Sequence, residues 1–172
     1  MLRLIPDAAH RAALRLAHRL RVGWWRWRRP TISGVRIIAQ DASGRVLLIR
    51  HSYGSGKWML PGGGLARGEN AVLAARRELA EETGCVLAHH REIALSIEPL
   101  HGATNRVHVV AGVTGDTPRP DGREVIEATF FAADALPAPL VAGLADDLTG
   151  WLAAADPAAR DGAGPLRPSD PA

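Results

Sequence analysis

Before Gly34 the apolar residues recur at helical spacing, and after it they alternate or gather in short blocks. Residues 7–22 predict an amphipathic helix: Asp7 can cap its start, and Ala9, Ala13, Leu16 and Leu20 fall on one stripe, with Arg11, Arg15, His18 and Arg19 on the other side. The run Trp24, Trp25, Arg26, Trp27, Arg28, Arg29 is bracketed by Gly23 and Pro30, both poor in a helix interior, so the helix is expected to stop at 22. Residues 35–40 and 46–49 read as strands joined by Asp41, Ala42, Ser43 and Gly44, which carry hairpin turn chemistry. After a loop at 52–57, the short apolar run Trp58, Met59, Leu60 is halted by Pro61, Gly62, Gly63 and Gly64. A helix is predicted over 70–83, closed by Gly84, and further strands are expected at 93–97, 107–114 and 126–132. A last helix is expected at 140–154, with Leu144, Leu148, Trp151 and Leu152 on one face. From Pro157 the residues are mostly Pro, Gly, Ala and Asp, the composition of a disordered tail. Strands mixed with two helices predict an α+β domain, a sheet covered by helices on both faces. The division is an N-terminal arm at 1–30, a domain at 31–156 and a tail at 157–172.

The 172 residues suffice for one domain with appendages, and 47% hydrophobic with 23% charged residues fits a globular chain. No uncharged apolar stretch approaches the roughly 20 residues of a membrane-spanning helix. The single cysteine, Cys85, can form neither an internal disulfide nor a multi-cysteine zinc site, and the arm lacks a continuous secretory apolar region, so a cytoplasmic location is expected. Charge is segregated. Residues 1–30 hold eight Arg and one Asp, giving +7, whereas residues 31–172 hold 13 basic and 17 acidic residues, giving −4. A mildly acidic body argues against a broad DNA-binding face, and no sequence-specific nucleic acid partner is expected. For the arm two readings stand: a cover whose Trp residues lie over the core edge, or weak contact with a membrane surface or polyanion. A homodimer is left open.

The predicted helix at 70–83 breaks its own electrostatic rules. Glu78, Glu81 and Glu82 stand at i, i+3 and i+4 and so share one face. Glu78 and Glu82 repel, and Glu81 and Glu82 sit in the last turn, where the helix dipole disfavours negative charge by some tenths of a kcal/mol each. Such a face points to a bound cation, and carboxylate oxygens suit magnesium, manganese or calcium. Magnesium usually completes its shell with phosphoryl oxygens and water. The glycines just upstream, Gly62 to Gly64, allow backbone to approach the same site closely.

The wider spacing is more specific. Gly63 is followed after five residues by Glu69, and after seven more by Arg77, Glu78, Leu79, Ala80, Glu81, Glu82, Thr83, Gly84 and Cys85. This resembles the Nudix box, the signature of the Nudix hydrolase superfamily, at every glycine and polar position; Cys85 stands where an aliphatic residue is usual. The hairpin ending at Arg50 and His51, the approach Trp58 to Gly63, and Glu124 to Glu127 before an aromatic strand extend the resemblance over about residues 34–154.

The resemblance implies a fold, an activity and a role for each matched residue. The fold would be an α/β/α sandwich around a mixed sheet. The activity would be metal-dependent hydrolysis of a nucleoside diphosphate linked to a group X, with Mg2+ or Mn2+. Glu78, Glu81 and Glu82 would be the metal-binding and catalytic carboxylates, with the Gly63 carbonyl as a further ligand, and Glu69 and Arg77 would form a supporting salt bridge. Glu124 is the candidate base, with Glu127 as a second choice. His51, Trp58, Gly62 and Gly64 would line the substrate pocket, with two readings for Trp58: stacking a base, or core packing, which is favoured. Absence of a four-cysteine zinc module disfavours the NADH-cleaving branch, and Pro99 hints at ADP-ribose, with nucleoside triphosphates equally open. The competing readings are a non-catalytic nucleotide-binding module and a membrane or polyanion protein led by its arm; retention of all four box carboxylates favours the enzyme. Because every residue assigned to chemistry lies after residue 50, the arm is expected to be separable from catalysis.

Overall fold

A computed structural model describes residues 7–155. The elements run α1 (Asp7–Arg28), β1 (Thr31–Gln40), β2 (Val46–His51), α2 (Ala71–Thr83), β3 (Ala88–Leu100), β4 (Ala103–Val113), β5 (Val125–Phe131) and α3 (Leu144–Ala155). Five strands form one mixed sheet in the order β3-β4-β1-β2-β5, with β1 and β4 parallel and the other neighbours antiparallel.

Alternation along the strands divides the core in two. Val35, Ile37 and Ala39 of β1 and Leu47 of β2 face Ala71, Ala74, Ala75 and Leu79 of α2. Ile38, Val46 and Leu48 face the other way, onto Leu144 and Leu148 of α3. The result is the expected α/β/α sandwich. Leu144, Leu148, Trp151 and Leu152 all pack on this second face, although the helix begins at Leu144 rather than 140, after Gly143 with φ 79°.

Helix α2 is closed by Gly84 as its sequence predicts, and Asn70, expected within the helix, caps its start. The Asn70 side chain accepts from the N–H groups of Val72 (2.9 Å) and Leu73 (3.3 Å), and Gly84 takes the left-handed conformation at φ 71°. The hairpin between β1 and β2 is set by Asp41, whose Oδ1 accepts from Ser43 N–H and Arg45 N–H.

Two expectations need correction. The N-terminal helix does not stop at residue 22; α1 runs through Gly23 to Arg28. An interior glycine costs only about 1 kcal/mol against alanine, too little to end a helix whose neighbours all favour it. The stop comes at Arg29, at φ 46°, whose N–H donates to Trp25 O just before Pro30. The segment after Trp58 is also more than a loop. Ile49 and Met59 exchange both backbone hydrogen bonds, Ile37 N–H donates to Pro61 O, and Val35 N–H to Gly63 O. Beyond the Gln40–Val46 pair, residues 59–63 thus fill the gap between β1 and β2. The expected tail at 157–172 lies outside the described residues.

Candidate active site

The inserted segment fixes the glycine run beside α2. Gly62, at φ 151°, packs so closely on β1 that a Cβ there would collide with the Val35 carbonyl, and a Cβ on Gly63 would collide with the Glu78 carboxylate. A cleft of about 960 Å³ opens over this contact. Its lining combines the carboxylates of Glu78, Glu81, Glu82, Asp121 and Glu124 with Arg21 and Trp25 of α1, Leu100 of β3 and Asn105 of β4.

Glu82 is only 8% exposed. Its Oε2 accepts from Gly62 N–H (2.9 Å) and its Oε1 from His51 Nε2 (3.0 Å). Burial nonetheless pushes its carboxyl above the ordinary range, the His51 bond opposing only part of the shift. Glu78 is pushed the same way by burial, against the pull of Arg77. Arg77 is the hub: it donates to Glu69 through Nε (3.0 Å) and Nη2 (3.1 Å), to Gly64 O (3.3 Å), to Glu78 (2.7 Å) and to Glu81 (3.3 Å). The guanidinium holds Glu69 below the usual carboxylate range. The Tyr53 hydroxyl donates to Glu124 Oε1 at 2.6 Å, and burial raises the phenol, so that it stays a donor.

The NUDIX domain family model matches residues 30–152. The chain belongs to the NUDIX family. A curated RNA pyrophosphohydrolase of Teredinibacter turnerae is 48% identical over 50 residues, 29% of each chain, so the match spans less than a third of that relative. Among solved structures, a MutT NUDIX hydrolase from Burkholderia pseudomallei superposes at a TM-score of 0.62 with 26% identity, covering 69% of this chain and 96% of that one. A UDP-X diphosphatase (TM-score 0.63, 23% identity, 73% and 63% covered) and a MutT protein from Methanosarcina mazei Go1 (0.61, 24%, 72% and 94%) share the fold.

Within this NUDIX domain the structure brings Gly62, Gly63, Gly64, Glu69, Glu78, Glu81, Glu82 and Glu124 to one cleft. The Gly63 carbonyl has one lone pair engaged by Val35 N–H (2.8 Å), leaving the other. Glu127 is not in the cleft; it pairs with Arg50 at 3.2 Å. Trp58 takes the core-packing role and not the stacking one: it is 7% exposed, packs edge-on against Phe131 in the α3 face of the core, and has no surface for a base. His51 stands behind Glu82 and stacks on Tyr53 rather than lining the cleft. Pro99 is exposed on β3 between Glu98 and Leu100, which line the cleft, and is not itself a lining residue.

Sequence reasoning missed Arg21, Trp25, Tyr53 and Asn105. The arm is therefore not remote from the site: α1 lies against the β3–β4 turn at Gly102, where a Cβ would press on Arg26, and its inner face forms cleft wall.

NUDIX hydrolases in general use divalent metals, and the donor set here fits one. All the donors are oxygens, Glu82 is a desolvated carboxylate at the cleft, and the bare Gly63 leaves room against which Glu78 is seated. Among the described residues no three His, Cys, Asp or Glu side chains are gathered as a metal ligand set. Arg77 pairs with Glu78 and Glu81, while His51 and Gly62 N–H hold Glu82.

Proposed function

We propose that this protein is a metal-dependent pyrophosphohydrolase acting on a nucleoside diphosphate linked to X, either ADP-ribose-like or a nucleoside triphosphate. The observation that carries the reading is the pair Glu78 and Glu82, two carboxylates whose burial raises both pKa values, on one face of α2 beside the glycine run. Glu78, Glu81 and Glu82 would hold Mg2+ or Mn2+, with the free lone pair of the Gly63 carbonyl as a further donor. A bound divalent ion supplies charge neutralisation for the pyrophosphate and activation of the attacking water.

The chain's own residues do the rest. Arg77, anchored by Glu69, orients Glu78 and Glu81, the carboxylates that would hold the ion. Gly62 and Gly64 keep side chains out of the phosphate path, and Gly62 N–H with His51 fixes the Glu82 oxygens. Glu124 takes the proton of the attacking water, held in place by the Tyr53 hydroxyl. Trp25, which lines the same cleft, stacks the base.

The partner is thus a nucleotide-type small molecule, and the compartment we propose is the cytoplasm, where the buried Cys85 stays reduced. The test is phosphate release from ADP-ribose, nucleoside triphosphates, dinucleoside polyphosphates and 5′-triphosphorylated RNA, with magnesium and with excess chelator. Metal-dependent cleavage of one class is expected. Tight nucleotide binding without turnover would favour a binding module, and unchanged turnover in chelator would overturn the metal assignment. Sedimentation of the same preparation decides between monomer and homodimer.

A further inference from the structure

Helix α1 presents two faces, of which only the inner one serves the cleft. Leu14, Val22 and Trp25 are half-buried, and Arg21 and Trp25 wall the site. On the far side Leu16, Leu20, Trp24 and Trp27 are 58%, 67%, 51% and 76% exposed. At about 100° per residue these four fall within an arc of roughly 80°, one continuous apolar stripe. Arg19 and Arg26 border one edge of it and Arg28 the other, with the Arg28 guanidinium 5.6 Å from the Trp27 ring centroid.

We propose that this outer face of α1 seats the protein on an anionic lipid surface. Two Leu and two Trp side chains enter the headgroup boundary while the flanking Arg residues reach lipid phosphates, the arrangement of an interfacial helix. No described helix is long and apolar enough to cross a membrane, so the helix lies in the surface plane. The charge distribution selects this occupant. A second copy of the chain would bring one +7 segment against another, whereas an anionic bilayer neutralises it and leaves the −4 remainder outward. A polyanion such as RNA would engage the Arg residues but gives Leu16 and Leu20 no role. The proposal is independent of the substrate assignment.

The test is co-sedimentation of the full chain with phosphatidylglycerol/phosphatidylcholine vesicles, combined with tryptophan emission. Expected are binding to the anionic vesicles, a blue shift on binding, and loss of at least about tenfold in affinity between low salt and about 0.5 M salt. The double variant Trp24→Ser, Trp27→Ser should lose vesicle binding at least about tenfold while keeping turnover on soluble nucleotides, because neither residue lines the cleft. Should that variant misfold, Leu20→Ser alone must weaken binding in the same direction. Equal binding to pure phosphatidylcholine, no binding to the anionic vesicles, RNA binding that survives the Trp substitutions, or concentration-dependent dimerisation abolished by them would each overturn the proposal.

Discussion

Helix α2 keeps Glu82 at 8% exposure in its last turn, while helix α1 leaves Trp27 at 76% exposure in its own last turn. Each breaks the pattern that folding alone would select, and in opposite senses. The apolar side of α2 is fully used, with Ala71, Ala74, Ala75 and Leu79 buried on the sheet; its anomaly is polar, since carboxylates are desolvated where the dipole is already negative. The outer apolar stripe of α1 is exposed, and its anomaly is hydrophobic. A misplaced charge is resolved by a small cation at a fixed point, whereas a misplaced apolar stripe is resolved only by an extended surface. The two helices line one cleft, α2 with Glu78, Glu81 and Glu82 and α1 with Arg21 and Trp25.

The largest effect should come from the carboxylate side. Removal of divalent metal should reduce pyrophosphate cleavage by at least about 10³-fold, and Glu82→Gln should lower kcat by about 10²–10³-fold with the fold intact. Circular dichroism and steady-state assays check both; an active Glu82→Gln enzyme would remove the contrast between the helices, leaving α2 as an odd but purely structural element. Next comes Gly63→Ala, whose methyl would displace the Glu78 carboxylate. A displacement near 1 Å at a catalytic group costs up to about 10²-fold, so a fall of about 10–100-fold in kcat with a small change in KM is expected.

The legibility of the two helices in the sequence differs for a physical reason. The anomaly of α2 is local: Asn70, Gly84 and three glutamates at helical spacing declare both the element and its chemistry within 15 residues. The sandwich is legible as well, because alternation in Val35 to Ala39 and Val46 to Leu48 assigns residues to opposite faces. What α1 does depends on where it docks, and nothing in residues 7–28 encodes its contact with Gly102 across the β3–β4 turn. Trp25 and Asn105 are therefore silent in the sequence, and Trp58 invites a role that its burial against Phe131 forbids. Pro61 and three glycines read as loop, although Ile37 and Val35 donate to that segment as to a strand.

The inner face of α1 supplies the third expectation. Base–aromatic stacking is worth about 1–3 kcal/mol, so Trp25→Ala should raise KM about tenfold with kcat nearly unchanged, and Trp58→Phe should leave KM alone while lowering thermal stability. A kinetic comparison of the two variants decides which tryptophan meets the nucleotide. An unchanged KM for Trp25→Ala would separate the arm from the site after all.

The smallest effect concerns stability. Because burial raises the Glu82 carboxyl above its unfolded value, this group favours the folded state most when both states hold the proton. As pH rises past about 4.3 the unfolded chain ionises first, and stability is lost until the folded carboxyl has ionised too. At neutral pH the metal-free protein thus carries an unfavourable charge, and Glu78 adds to it in the same direction. Glutamine at position 82 can still accept from Gly62 N–H, so Glu82→Gln should stabilise the metal-free protein at pH 7 by about 1 kcal/mol, the scale of one i,i+4 repulsion plus one misplaced charge at a helix end. For a chain of this length that is about 2–4 °C in Tm. The gain should shrink as pH falls toward 4, and should reverse when saturating Mg2+ stabilises the parent alone. Thermal melts of both proteins across that range, with and without metal, check the sign; a variant less stable than its parent in chelator would mean that Glu82 is held for the fold and not for an ion.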